Sequence, residues 1–86
     1  MEKEFIIANE QGLHARPATT IVNLANSFKS DIMLTYNGIT VDMKSIMGVL
    51  SLGVKRGSIV TIRTSGVDEV EALNAINKQL QAFNLR

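Results

Sequence analysis

The chain has 86 residues, with nine Lys or Arg against eight Asp or Glu and a formal net charge of +1. It contains no cysteine and one histidine, which excludes a disulfide scaffold, a thiolate zinc site and a His-rich metal site. With 45% hydrophobic and 20% charged residues it reads as one small folded domain, and its even charge balance gives no arm for binding polyanions.

The start, Met1-Glu2-Lys3-Glu4, lacks the basic stretch and apolar segment of an export signal. No apolar run approaches the ~20 residues of a membrane span. A cytoplasmic protein without membrane insertion is expected. Glu4–Ala8 alternates, with Phe5 and Ile7 on one side and Glu4 and Ile6 on the other, and predicts a short strand. Asn9-Glu10-Gln11-Gly12 is a loop. Pro17 marks a helix start, because the first turn does not need its missing N–H. Ala18, Ile21, Val22, Ala25 and Phe28 follow as an apolar stripe at helical spacing.

Asp31–Tyr36 and Ile39–Asp42 are rich in β-branched and aromatic residues, and Asn37-Gly38 lies between them. That pattern predicts a hairpin, since a type I′ turn needs positive φ at both central residues. Ser45 suits an N-cap for the apolar run Ile46, Met47, Val49, Leu50, Leu52, and Gly53 suits its end. Ser58–Ser65 alternates and predicts a strand ended by Gly66. Asp68 with Glu71 three residues on reads as a variant capping box for a last helix. The stripe of that helix is Val70, Leu73, Ile76, Leu80 and Phe83. The order β-α-β-β-α-β-α, with one apolar stripe per helix, predicts an α+β fold. It is an open-faced two-layer sandwich, a four-stranded antiparallel sheet with three helices on one face.

Two segments carry candidate chemistry. In Gly12-Leu13-His14-Ala15-Arg16-Pro17-Ala18 a histidine sits where a loop enters a helix. Helix N-termini offer unpaired N–H groups and the positive end of the dipole, so an anion such as a phosphorylated imidazole is stabilised there. Arg16 adds charge-assisted hydrogen bonds to phosphoryl oxygens. In Lys44-Ser45-Ile46-Met47-Gly48-Val49, a phosphate on Ser45 at a helix start would suit the dipole. Ile46, Met47 and Leu50, on a helix of two turns, leave apolar surface for contact with a partner. On the residues alone, a solvated loop histidine and an ordinary serine N-cap stand beside these readings.

These two segments resemble the active-site and serine-phosphorylation signatures of HPr, the histidine-containing phosphocarrier family of the bacterial phosphoenolpyruvate:sugar phosphotransferase system. The second segment is closer to the Gram-positive form. The resemblance covers the whole chain and implies one HPr-like domain over residues 1–86. It implies that His14 takes a phosphoryl group on Nδ1 from phosphorylated enzyme I and passes it to enzyme IIA domains, with Arg16 stabilising the phosphohistidine. It implies that Ser45 is the target of HPr kinase/phosphorylase, and that the phosphoserine form acts with catabolite control protein A. The implied docking residues are Ala15, Thr19, Ile46, Met47, Gly48 and Leu50. The protein would be a carrier and not an enzyme, with no cofactor, metal or nucleic-acid partner.

Two positions depart from the family pattern. Many Gram-positive members carry a lysine on the exposed face of the first helix. Here Asn23, Asn26 and Ser27 are neutral and Lys29 is the nearest cation. Asp42 replaces an asparagine common in that group. The element order also fits a ferredoxin-like RNA-recognition module, but Phe5, Phe28, Phe83 and Tyr36 are the only aromatics and no basic-Gly-aromatic motif is present. A purely regulatory HPr-like protein and the carrier of a nitrogen-related phosphotransfer chain are further readings. The presence of His14 argues against the first of these, and the Ser45 motif against the second.

Overall fold

Alternation along the strands decides which face of the sheet is covered. In β4 (Ile59–Ser65), Val60, Ile62 and Thr64 are buried while Ile59, Arg63 and Ser65 are exposed. In β2 (Asp31–Tyr36), Ile32 and Leu34 are buried. β1 (Glu2–Ile6) and β3 (Ile39–Asp42) complete a sheet of order β1-β4-β2-β3, in which every neighbouring pair is antiparallel. The register sets Phe5 opposite Val60 and Leu34 opposite both Ile62 and Val41, so one face is apolar. The computed structural model describes residues 1–84.

Three helices cover that face: α1 (Ala15–Asn26), α2 (Ile46–Ser51) and α3 (Glu69–Asn84). α1 buries Ala18, Ile21, Val22 and Ala25, α2 buries Val49, and α3 buries Ala72, Leu73, Ile76 and Leu80. These meet Ile32, Leu34, Val60 and Ile62 of the sheet in one core. The opposite face stays open, with Ile6 and Ile59 paired across strands and exposed. The α+β open-faced sandwich and the element order expected from the sequence are both present. So is the hairpin: Asn37 and Gly38 have φ of 51° and 79°.

Several element ends lie elsewhere than the pattern implied. The first strand runs Glu2–Ile6 and not Glu4–Ala8, because its length is fixed by pairing with β4, from Glu2 opposite Arg63 to Ile6 opposite Ile59. Its predicted faces hold, with Phe5 and Ile7 buried and Ile6 exposed. α1 begins at Ala15, two residues before Pro17, and Phe28 packs on the core from beyond the helix end. In α3 the stripe position Val70 is exposed.

The capping box is also different. The Asp68 carboxylate does not reach forward into its own helix. It accepts hydrogen bonds from the Lys29 and Ser30 N–H groups, each at 2.9 Å, and from the Ser30 hydroxyl at 2.5 Å. The reciprocal contact comes from Glu69, whose Oε1 accepts the Gly66 N–H at 3.2 Å. Through-space partners outcompete the local motif.

Candidate functional site

The loop between β1 and α1 is fastened on both sides of His14. Gly12 has φ of 59°, and a Cβ there would lie 2.3 Å from the Val54 carbonyl oxygen, so only glycine fits this approach. The Leu13 N–H then donates to the Val54 carbonyl at 3.1 Å, and the Leu13 side chain is buried. The Asn9 amide closes the loop by donating to the Gly12 carbonyl at 2.7 Å. On the far side Pro17 and Ala18 are buried. Between these anchors His14, Ala15 and Arg16 are exposed.

His14 occupies the N-cap position of α1 with extended backbone (φ −123°, ψ 165°), yet its side chain makes no capping bond. Ala15 follows in the left-handed region at φ 52°, which costs a non-glycine residue about 1–2 kcal/mol. The first turn of α1 has no acidic side chain. Its leading N–H groups, on Ala15 and Arg16, have no helical carbonyl to meet, and Pro17 has none to offer. Among the described residues the one ion pair joins the Met1 ammonium to Glu69, so the Arg16 guanidinium is free of any carboxylate there. An exposed imidazole, the leading N–H groups and a guanidinium with no ion-pair partner among the described residues therefore follow one another at one helix start, although His14 does not line the hollows that Arg16 borders. That arrangement suits an anionic group carried on or beside the ring.

Ser45 is the N-cap of α2, and its Oγ accepts the Gly48 N–H at 3.1 Å. Gly53, past the end of the helix, has φ of 63° as an αL stop requires. The turn before Ser45 is hooked to the far end of α1. The Asn26 amide donates to the Lys44 carbonyl at 3.0 Å, and the Lys44 ammonium donates to the Phe28 carbonyl at 2.8 Å. This lays α2 against α1 and opens a shallow groove lined by Ala15, Arg16, Thr19, Thr20, Ile46 and Leu50.

Of the residues singled out from sequence, Ala15, Thr19, Ile46 and Leu50 meet with Arg16 in that groove. Met47 stands outside it at 74% exposure, and Gly48 is half-buried against Ser45 and Val41. Thr20 joins the groove one helical turn from Arg16, with no motif in the sequence to mark it. Arg16 also borders a second, polar hollow on its other side, shared with Arg56. No local pattern places Arg56 there, because it comes from a distant loop. Among the described residues no cluster of three or more His, Cys, Asp or Glu is placed to hold a metal, and no helix is long and apolar enough to cross a membrane.

The strongest electrostatic perturbation lies away from the groove. Hydrogen bonds from the Ser30 hydroxyl and the Lys29 N–H lower the Asp68 carboxyl from its ordinary 3.8 to about 2. Glu69 is lowered by the Gly66 N–H and by the amino terminus.

Comparison with known proteins gives consistent matches. The family model described as the PTS HPr component phosphorylation site matches residues 1–82. HPr-C-His from Thermoanaerobacter tengcongensis superposes with a TM-score of 0.96 at 38% identity, over 100% of this chain and 97% of that one. The phosphocarrier protein HPr of Bacillus anthracis gives 0.89 at 43% identity, over 92% and 94%. The catabolite repression protein Crh of Bacillus subtilis gives 0.76 at 45% identity, over 85% and 84%.

Proposed function

The chain belongs to the HPr family, the phosphocarrier proteins of the phosphotransferase system, and on that footing we propose that it carries a phosphoryl group on His14. Phosphorylated enzyme I is the donor, and enzyme IIA domains are the acceptors. The imidazole Nδ1 attacks the phosphorus, the donor's bond to that phosphorus breaks, and the donor keeps the electron pair. The onward step to an enzyme IIA domain repeats this in reverse. The observation that carries the reading is the exposed His14 ring at the N-cap of α1 with no capping bond to break.

Each neighbour takes a defined part. Arg16 holds the phosphoryl oxygens with its planar fork, assisted by the N–H groups of the first turn. Ala15, Thr19, Ile46, Met47, Gly48 and Leu50 form the docking surface, with Ile46 and Leu50 against the groove and Met47 as an adaptable apolar contact. Ser45 is the site of HPr kinase/phosphorylase. Its phosphate places about −1.5 to −2 charges at the edge of the docking surface, which weakens binding to enzyme I and creates the form that acts with catabolite control protein A. Residues 1–86 form a single HPr-like domain that works in the cytoplasm as a carrier and not as an enzyme.

The test is incubation with enzyme I and phosphoenolpyruvate, read by intact mass before and after acid treatment. One acid-labile phosphate is the expected result; no mass gain contradicts the reading. The similarity to Crh favours a second reading, a purely regulatory role through Ser45. Under that reading only HPr kinase/phosphorylase with ATP adds phosphate, and the adduct survives acid.

A further inference from the structure

Asp42 and Ser45 are the two ends of a tight turn. The Ser45 N–H donates to the Asp42 carbonyl at 3.0 Å, which holds their Cα atoms within about 7 Å. The Asp42 side chain folds into the same turn, with Oδ1 accepting the Lys44 N–H at 2.9 Å. An asparagine carbonyl oxygen would accept that bond equally well. The turn therefore needs the side-chain oxygen but not the negative charge.

No cation among the described residues is in ion-pair contact with it. Lys44, the nearest cation in sequence, is half-buried with its ammonium committed to the Phe28 carbonyl at 2.8 Å. Arg63 shares a sheet register with Asp42 only through Met33, which pairs with both, and so stands two strands away. Among the described residues Asp42 makes no ion pair, and both Asp42 and Ser45 are exposed.

From this geometry we propose that Asp42 tunes Ser45 phosphorylation: its carboxylate, fixed in the turn, opposes the phosphate and makes the phosphorylated state less favourable than the turn alone would. The proposal rests on the reading of Ser45 as a phosphorylation site. In that reaction Ser45 Oγ bonds the γ-phosphorus of ATP, the bond from that phosphorus to ADP breaks with its electron pair leaving on ADP, and the hydroxyl proton passes to solvent. The product sets up to two negative charges against one. With the Cα limit of about 7 Å taken as the scale of the separation, two unit charges in water, weakly screened at about 10 mM salt, shift an ionisation equilibrium about twofold. At about 1 M salt the screening length falls to about 3 Å and the effect disappears.

The experiment installs phosphoserine at position 45 of the full chain chemically, in the parent sequence and in Asp42→Asn, and follows the second ionisation of the phosphate by phosphorus NMR. The parent is expected to ionise with about a twofold smaller constant than Asp42→Asn at about 10 mM salt, with the two converging at about 1 M. Asp42→Ala, which also loses the bond to Lys44, should match Asp42→Asn if charge is the cause. Equal constants at low salt overturn the proposal. A difference that persists at high salt also overturns it, by assigning the effect to hydrogen bonding. Because no kinase is used, the result is independent of whether Ser45 is modified enzymatically. Labelling of the unmodified chain by HPr kinase/phosphorylase and ATP tests that point separately.

Discussion

The two ends of α1 are built in opposite ways. At its start His14, Ala15 and Arg16 lie exposed in succession, the N-cap side chain makes no capping bond, and the first turn carries no acid. Beyond its end, Ser30 is 2% exposed and gives both its N–H and its hydroxyl to Asp68, while the Asp68 N–H returns a bond to the Ser30 oxygen at 3.2 Å. The saturated end ties the turn between α1 and β2 to the turn that opens α3. The unsaturated end leaves its hydrogen-bonding capacity unused among the described residues, and α1 joins the two as a rod about 18 Å long. Stability and function should therefore respond to substitutions at different ends.

The largest expected separation comes from His14→Ala. Phosphate uptake from enzyme I should vanish, since this is the only imidazole, while stability changes by no more than about 0.5 kcal/mol. Labelled-phosphate transfer and a thermal melt check both halves, and residual uptake would remove His14 from the mechanism. Gly66→Ala should do the reverse. Gly66 has φ of 149°, and a Cβ there would lie 2.8 Å from the Ser30 Cα. The loss should be about 2–3 kcal/mol, or about 10–20 °C in Tm, with transfer by the folded fraction unchanged. A Tm within a few degrees of the parent would show that the packed end tolerates the change.

Arg16→Lys keeps the charge but loses the planar fork, so transfer should slow about tenfold with Tm nearly constant. Equal rates for arginine, lysine and alanine at this position would break the assignment. Ser45→Asp, a weaker mimic of phosphoserine, should lower affinity for enzyme I about two- to fivefold without unfolding the domain. Calorimetric titration and a melt decide it, and unchanged affinity with unchanged transfer rules out this step as the target.

The smallest effect is a pH slope at the saturated end. The folded pKa of Asp68 is about 2, below its ordinary 3.8, so its contribution to stability is fully present above 3.8 and is lost as pH falls toward 2. Glu69 shifts in the same direction. Melts of the parent and Asp68→Asn should converge as pH falls through that window. Parallel curves would mean that Asp68 is not the group being titrated.

What was legible in the sequence was what local chemistry decides. The Asn37-Gly38 turn, the Ser45 cap, the α1 stripe and the alternation of β4 each depend on near neighbours in the chain, and each is found in place. The segments bearing His14 and Ser45 stand out through their resemblance to the HPr signatures, since local chemistry alone leaves a solvated loop histidine and an ordinary N-cap open. What escaped depends on partners far along the chain. The ends of β1 are set by β4, the Asp68 carboxylate is claimed by residues 38 and 39 positions away, and Thr20 and Arg56 join Arg16 only through tertiary packing. The left-handed backbone of Ala15 has no signature in its residue type either, since alanine rarely adopts it.

The central claim, that the open end of α1 is a phosphoryl carrier site, has one direct test. The single histidine gives an unambiguous long-range proton–nitrogen NMR spectrum of its imidazole, taken before and after addition of enzyme I and phosphoenolpyruvate. The account predicts a new phosphorus–nitrogen coupling at His14 Nδ1 and, in the backbone amide spectrum of the same sample, shifts confined to the start of α1 and the facing side of α2. An imidazole spectrum unchanged while phosphoenolpyruvate is consumed would contradict it.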